Sequence, residues 1–526
     1  MARQFDLDIF CAADPEYTYW PRRLLHLPTM TSVERIDSDV YPAGGLDTLV
    51  KEPPYSVLSY TWGRYEKRPR RPEYERLQIS GIDWEIPPIA EAHFSVQDFE
   101  TVIEELRRHH DFAWIDIACI HQEDEILKAA EIGQQARIFA NARSAFIWLC
   151  RTPGDIHERI LRQTWSLWEM YWEDAQEDFV FDAGVENRFI EVLDAAMVTI
   201  TEISQDPYFS SLWTLQEYLY HPGASIIYAE PGVYSSFSLS LGHLNQMMAF
   251  QSSEAIQNRV KSIINITGRM GYAPASVPLY SNPHQSRAAA GYRTASIEQD
   301  RIFATMSAYR VVTQASKGMS RRNPYSYSMA ELRHAFATTL NEISPSLGQS
   351  FIHPTRPAPG ESWKLPAQLS NYNNDVWAWD WRHFGPLSSI SGTEHGYAIF
   401  EGDVGRLSAL LEAAATNHFE DRLPTLVLDD YLFSEHQQLS AALAARGDAS
   451  IETFTPVIGA AVLQTFGDEE VHVLALATCP ADNGIQPFQY LVLRRLSHEE
   501  RYERLGITYT WPKPDIDWKR VRGQLH

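Results

Sequence analysis

Residues 112–120 read FAWIDIACI, nine positions of which only Asp116 is polar. A run this short, apolar at odd and even positions alike, has the pattern of a strand covered on both faces in a parallel sheet. Helical periodicity flanks it. Upstream, Phe99, Val102, Ile103 and Leu106 recur at helical spacing, and Ser95 with Asp98 forms a capping-box signature, so a helix is predicted over 96–109. Downstream, Ile132, Ala136 and Phe139 mark one side of a helix over 129–140. Beyond these helices lie two more β-prone runs, YSVLSY at 55–60 and SAFIWL at 144–149. Pro53-Pro54 precedes the first and Trp62-Gly63 follows it, which suits a buried strand ending in a tight turn.

Strand, helix, strand, helix, strand in this order implies right-handed crossovers and an α/β fold with a doubly wound, mainly parallel sheet. Two helical stretches interrupt the alternation over 151–205, one carrying Trp165, Trp168 and Trp172, the other running from Glu186 to Ser204. This is read as a helical insertion. Asp206-Pro207 then offers a cap followed by Pro at the first helical position, and a helix over 208–220 should lead through Pro222-Gly223 into a fourth strand at 224–228. A long helical stretch to Gly268, a Pro/Ser-rich loop at 272–287 and a helix near 300–309 follow. The first domain is placed at 1–268. Residues 269–526, after a linker near 272–290, are expected to form an α+β region with a helix over 329–343 and β-prone runs at 457–463, 471–477 and 490–493.

With 526 residues the chain exceeds what one core usually covers, and 44% apolar with 12% aromatic residues supplies ample material for burial. Lys and Arg total 45 against 68 Asp and Glu, a formal charge of -23 that would repel a phosphate backbone. No nucleic-acid partner is expected, since the basic knots at Lys67–Arg71 and Arg321–Arg322 are short. Cys11, Cys119, Cys150 and Cys479 are scattered without a CxxC pair, which argues against a disulfide framework or a structural zinc site. The cluster Cys119, His121, Glu123 and Asp124 matches no standard ligand spacing, so no metal is assigned. No apolar run reaches the eighteen or so residues a membrane helix needs, and a cytoplasmic protein is expected. GxGxxG, GxxxxGK[ST], HExxH and GxSxG are all missing from the chain, which leaves ordinary dehydrogenase, nucleotide-triphosphatase, zincin and esterase readings unsupported.

Four blocks in fixed order resemble the fungal heterokaryon-incompatibility (HET) family: YSVLSYTWG at 55–63, WIDIACIHQ at 114–122, QARIFANARSAFIWL at 135–149 and LWTLQE at 212–217. RRLLHL at 22–27 and DRIFA at 300–304 match the family's habit on either side, so the resemblance spans roughly residues 20–310. Two departures stand out: His121 replaces the family's usual Asn, and the charged motif after Gln122 is diluted into ILKAAEIGQQ. HET domains are in turn similar, at long range, to Toll/interleukin-1 receptor (TIR) domains. The likeness lies in LSYTWG, in WID and in an SxWxxxE pattern at Ser211, Trp213 and Glu217. It implies a TIR/flavodoxin-like sheet. Several TIR domains cleave the nicotinamide glycosidic bond of NAD with a glutamate at that helical position, so the resemblance carries the catalytic role to Glu217.

Ligand sites of parallel sheets form beyond the carboxyl ends of the strands. Ser59, Tyr60, Trp62, Gly63 and Arg64 leave the first strand there, and Asp116 leaves the second. Trp62, Tyr60 and Trp213 are expected to offer ring surfaces, Arg64 to meet a phosphate and Gly63 to permit close backbone approach. On the helix of Glu217, Tyr208, Leu212, Leu215 and Leu219 form an apolar stripe beside an aromatic one of Phe209, Trp213 and Tyr220. A carboxylate there is costly to bury unless it is paired or used, and desolvation would raise its pKa. Glu217 pairing with an Arg, or capping a loop, is the structural alternative. The expected activity is that of a cell-death effector of non-self recognition that hydrolyses NAD after self-association, with NAD as substrate and no tightly bound cofactor. The alternative is a non-catalytic interaction module acting through protein partners; a third reading gives the domain a regulatory task exerted through the carboxy-terminal half.

Overall fold

The structure is a computed structural model that describes residues 9–12, 20–43, 48–61, 75–89, 94–174, 183–221, 223–230, 232–234, 253–271, 283–314, 323–366, 385–393, 397–416, 425–444, 451–478, 488–497, 500–510 and 514–526. The chain divides into two compact units, residues 13–326 and residues 1–12 with 327–526.

In the first unit, β1 (Arg23–His26) and β2 (Thr31–Glu34) form a hairpin, and β3 (Val40–Pro42) pairs with β4 (Leu49–Lys51) in a small separate sheet. The main sheet adds β5 (Tyr55–Ser59), β6 (Phe112–Trp114), β7 (Ser144–Trp148), β8 (Ser225–Ile227) and β9 (Val233–Tyr234). Its spatial order is β9-β8-β7-β5-β6-β1-β2. β5 runs parallel to both β6 and β7, with Val57 opposite Trp114 and Ser59 opposite Ile147; β7 is parallel to β8. The edges are antiparallel. All five residues of β5 are buried, as expected for a central strand.

The connecting helices are α1 (Val96–Arg107), α2 (Asp116–Cys119), α3 (Glu125–Asn141), α4 (Asp155–Asp174), α5 (Ala183–Ser204) and α6 (Leu212–Tyr220), followed by α7 (Glu254–Met270), α8 (Pro283–Ala290) and α9 (Asp300–Met306). The capping box forms as read: the Ser95 hydroxyl accepts from the Asp98 amide while Asp98 Oδ2 accepts from the Ser95 amide. One hydrophobic core runs from Leu24 to Ala304 and takes in Ile156 and Ile160 of α4, Leu193, Ala196 and Ile200 of α5, and Ile256, Val260 and Ile263 of α7. The helices of the insertion therefore share the core of the sheet they interrupt.

Four local expectations are corrected. The strand read over 112–120 stops at Trp114, and Asp116 opens the single-turn helix α2, its side chain accepting from the Ile117 amide at 2.6 Å. Uniform burial of Ile117, Ala118 and Cys119 gave an apolar run that periodicity alone does not separate from a strand. α3 starts at Glu125, because the Asp124 carboxylate caps the amides of Ile126 and Leu127. The helix read over 208–220 is two pieces, a 3-10 turn at Pro207–Ser210 and α6, separated at Ser211 by extended backbone (φ -82, ψ 133). Within the loop read over 272–287, residues from Pro283 onward form α8, and 272–282 lie outside the described residues.

The second unit is α+β. Its helices are α10 (Met329–Ile343), α11 (Pro345–Gln349), α12 (Leu407–Thr416), α13 (Asp430–Glu435), α14 (Gln437–Ala444) and α15 (Ile451–Phe466). Its strands are β10 (Gly385–Pro386), β11 (Ser389–Gly392), β12 (Ala398–Arg406), β13 (Thr425–Leu428), β14 (Val471–Thr478), β15 (Phe488–Ser497), β16 (Arg501–Thr510) and β17 (Lys519–Leu525). β12, β14, β15, β16 and β17 pair in a closed ring, all antiparallel except the short β16–β17 contact. Phe400, Leu474, Leu491, Ile507 and Leu525 fill one core of this ring. A second core lies on its other face, where Val473, Tyr490 and Val492 meet the helices. Residues 457–463, read as β-prone, lie inside α15: Ile458, Ala461 and Val462 are buried at helical spacing, which overrides the β-branched composition.

Candidate active site

β5 delivers Ser59 as its last residue, at the carboxyl end of the parallel strands, and Glu217 meets it from α6. The start of α6 is held from outside. The amide of Leu212 donates to the Thr294 carbonyl, and the guanidinium of Arg293 donates to the Ser211 carbonyl and the Thr214 hydroxyl, both at 2.9 Å, and to the Met270 carbonyl. α6 packs on α3 and β5, which turns Glu217 into the space between them.

Glu217 is 7% exposed. Its Oε2 lies 2.5 Å from Ser59 Oγ, within hydrogen-bonding distance, and its Oε1 accepts from Gln135 Nε2 at 2.5 Å. Ser59 Oγ lies 2.9 Å from the Tyr208 hydroxyl, which donates in turn to the Thr214 carbonyl at 3.2 Å. Among the described residues Glu217 has no ion-pair partner. Burial pushes its pKa well above the ordinary glutamate range; the bonds from Ser59 and Gln135 and the field of Arg293 oppose this, while the nearby Asp116 adds to it.

Asp116 is the second buried acid of this edge. The hydroxyl of Tyr60 donates to its Oδ1 at 2.6 Å, beside the Ile117 amide, and burial lifts its pKa to about 7. Tyr60 does not present a free ring. It is buried edge-on against Phe99 (5.3 Å between centroids) and Phe94, with Trp148 at 6.4 Å, so its aromatic body belongs to the core and its hydroxyl orients Asp116. Trp213 is half-buried and points elsewhere: its indole donates to Asp300 Oδ2 at 3.2 Å, and Tyr325 donates to the other oxygen at 3.0 Å. Trp62, Gly63 and Arg64 lie outside the described residues. Of the residues read from the sequence, Ser59, Glu217, Tyr60 and Asp116 are thus neighbours, and Trp213 joins a separate cluster with the DRIFA segment.

The aromatic surroundings expected for Glu217 are replaced by polar ones. Gln135 was not singled out, and Tyr208 was read only as part of an apolar stripe. The available signal was polar residues at core positions: α3 buries Glu131, Gln134 and Gln135 on one side. Glu131 sits one turn before Gln135 and accepts from the Arg22 amide at 3.2 Å, and burial lifts its pKa to about 7. His121 keeps the loop after α2 ordered in its own way, its Nδ1 accepting from the amides of Glu123 and Asp124. Among the described residues no group of three His, Cys, Asp or Glu side chains is disposed to hold a metal ion, and no helix is long and apolar enough to cross a membrane.

A neutral or ionised carboxyl at this position, flanked by a strand-end hydroxyl and a second acid, suits proton handling or stabilisation of developing positive charge. Comparison with curated proteins and comparison with solved structures each returned no match. One family model does match, that of the Heterokaryon incompatibility protein (HET), over residues 55–217, from the first residue of β5 to Glu217. That match spans the Ser59 strand end, Asp116, Gln135 and Glu217, and shows that this part of the chain is a HET domain.

Proposed function

We propose that this protein acts in heterokaryon incompatibility as a cell-death effector whose HET domain, once self-associated, hydrolyses NAD at the N-glycosidic bond. The single observation that carries the catalytic part is the position of Glu217: a desolvated carboxyl without an ion-pair partner among the described residues, beside Ser59 at the carboxyl end of a parallel strand. In chain order the four parallel strands lie 2-1-3-4, the order of flavodoxin-like doubly wound sheets, which supports the TIR/flavodoxin-like reading. β5 is the strand at which the order reverses, and the crevice beyond such a switch point is where ligands bind.

In the reaction the bond from ribose C1′ to the nicotinamide nitrogen breaks, the electron pair leaves with nicotinamide, and water adds at C1′ with release of its proton. Positive charge builds on the ribose in the transition state. An ionised Glu217 offsets it or holds the ribose hydroxyls, in a site whose low dielectric strengthens the interaction. Trp62, Gly63 and Arg64, which come after Tyr60 and Thr61 in the sequence, are assigned to ring stacking, close approach and phosphate contact. NAD is the substrate, no tightly bound cofactor is required, the partners are further copies of this chain and proteins of non-self recognition, and the site of action is the cytoplasm.

A second reading is favoured by one observation: both oxygens of Glu217 are already hydrogen-bonded to Ser59 and Gln135. In it the carboxyl fastens α6 to β5 and α3, and the domain acts as a non-catalytic assembly module. Expression of the chain and of Glu217→Gln, with cellular NAD and viability followed together, separates the two. NAD loss that the substitution abolishes supports hydrolysis; toxicity with NAD unchanged supports the module and overturns it.

A further inference from the structure

The hydrogen bonds around Glu217 obey a proton count. Three oxygen-to-oxygen contacts lie in series: Glu217 Oε2 to Ser59 Oγ at 2.5 Å, Ser59 Oγ to the Tyr208 hydroxyl at 2.9 Å, and the Tyr208 hydroxyl to the Thr214 carbonyl at 3.2 Å. An ionised Glu217 leaves two hydroxyl hydrogens for these three contacts, so all three are filled only when the carboxyl carries the third. The Thr214 carbonyl has none to give, so Tyr208 donates there. In that arrangement Ser59 donates to Tyr208, and Glu217 supplies the third hydrogen to Ser59. The fourth contact fixes which oxygen carries it: Gln135 Nε2 is a donor only, so Oε1 accepts and the hydrogen sits on Oε2.

We infer that Ser59 and Tyr208 are positioning residues that store one proton on Glu217, so that the resting HET domain holds this side chain as a neutral carboxylic acid. The inference rests on the proposed hydrolysis for its consequence. A neutral acid does not offset the positive charge of the breaking glycosidic bond, so the working carboxylate forms only when the Ser59–Tyr208 chain is broken and the proton passes to water. The charged groups bearing on Glu217 divide: Asp116 favours the neutral form and Arg293 the ionised one. Burial adds to the side of Asp116.

The design uses residues from three places in the chain. Ser59 ends β5, Tyr208 lies in the 3-10 turn that Asp206 caps through the Tyr208 amide, and Gln135 comes from α3. Thr214 closes the loop from both ends, accepting from Tyr208 at its carbonyl and donating its hydroxyl to the Tyr208 carbonyl at 2.6 Å. The break at Ser211 is what lets Tyr208 fold back over the first turn of α6, which a continuous helix would not allow.

The test is infrared spectroscopy of the full chain at neutral pH, with glutamate labelled by carbon-13 at the side-chain carboxyl so that aspartic acids, Asp116 included, do not contribute. Glu131→Gln removes the other buried glutamate that lacks an ion pair among the described residues. In that background we expect a label-sensitive protonated-carboxyl band that Glu217→Gln abolishes. Tyr208→Phe, which frees the Ser59 hydrogen to serve an ionised carboxylate, should weaken the band; Ser59→Ala, which removes the acceptor, should shift it toward the position of a non-hydrogen-bonded acid. No labelled protonated band in Glu131→Gln, or a band untouched by Tyr208→Phe, overturns the inference. The measurement is independent of NAD consumption: an ionised Glu217 in a chain that hydrolyses NAD defeats proton storage alone, and a protonated Glu217 in a chain that never consumes NAD defeats the hydrolase reading alone.

Discussion

Each unit of this protein buries a carboxyl group near the centre of its polar architecture, and the two are satisfied by different means. In the second unit Asp429 and Arg504 form an ion pair at 2.6 Å with both side chains fully buried. The pair has further partners: the His353 amide donates to Asp429, Arg504 donates to the Phe351 and Gln349 carbonyls, and its guanidinium lies 4.1 Å from the Phe351 ring. Beside it burial holds the His353 imidazole neutral, its pKa down at about 4. In the HET domain Glu217 meets, among the described residues, the Gln135 amide and a hydroxyl chain through Ser59. A paired charge has nothing further to give and fixes structure. An acid kept neutral by burial stores a proton and a latent charge, which is the arrangement found at working sites.

The largest effect follows from breaking the pair. Asp429→Asn leaves the Arg504 guanidinium buried and uncompensated, and should cost about 3–5 kcal/mol of stability. Thermal unfolding of the variant measures it; a loss under about 1 kcal/mol would show that the two acids are not held differently. Glu217→Gln is the matched experiment. Exchange of a neutral acid for a neutral amide keeps the bonds to Ser59 and Gln135, so stability should change by less than about 1 kcal/mol, while NAD hydrolysis is lost. A large loss of stability would place Glu217 with Asp429 among the structural acids.

pH sharpens the comparison. Asp116 and Glu131 rise from ordinary values of 3.8 and 4.5 to about 7 through burial. Between those limits the folded HET domain binds protons that the unfolded chain has released, so its stability falls as pH rises from about 4 to about 7 and levels off above. Hydrogen exchange at the β5 and β6 amides should therefore be slower at pH 5 than at pH 8 after correction for intrinsic rates, and the reverse ordering would contradict the assignment. The smallest effect belongs to the capping box of α1: Ser95→Ala should cost about 1 kcal/mol and leave NAD chemistry untouched.

The comparison also explains what could be read in advance. β5, β7 and α1 were legible because their signals are local: a β-prone run between turn residues, or apolar spacing behind a capping box. The end of β6 was not, because Ile117, Ala118 and Cys119 are buried whether they continue a strand or turn into α2. Residues 457–463 misled for the same reason in reverse, their β-branched composition yielding to packing on one face of α15. Within the candidate site, Glu217, Ser59 and Asp116 could be named in advance as candidates from their positions near strand ends and in the family blocks. Gln135 and Tyr208 could not, since nothing local distinguishes a buried Gln that meets a carboxyl about 80 residues away from one that faces solvent. The Asp429–Arg504 pair left no sequence trace, for its partners are joined only by the closure of β13 on β16.

The central claim is that Glu217 performs chemistry. The decisive assay is nicotinamide release from NAD by the purified 526-residue chain, concentrated to favour self-association and compared with Glu217→Gln of equal thermal stability. We expect nicotinamide from the parent chain and a loss of at least about a hundredfold in the variant, the scale on which removing one charge-stabilising group acts; equal release from both, or none from the parent chain in an assembled state that kills cells, would rule out a catalytic Glu217.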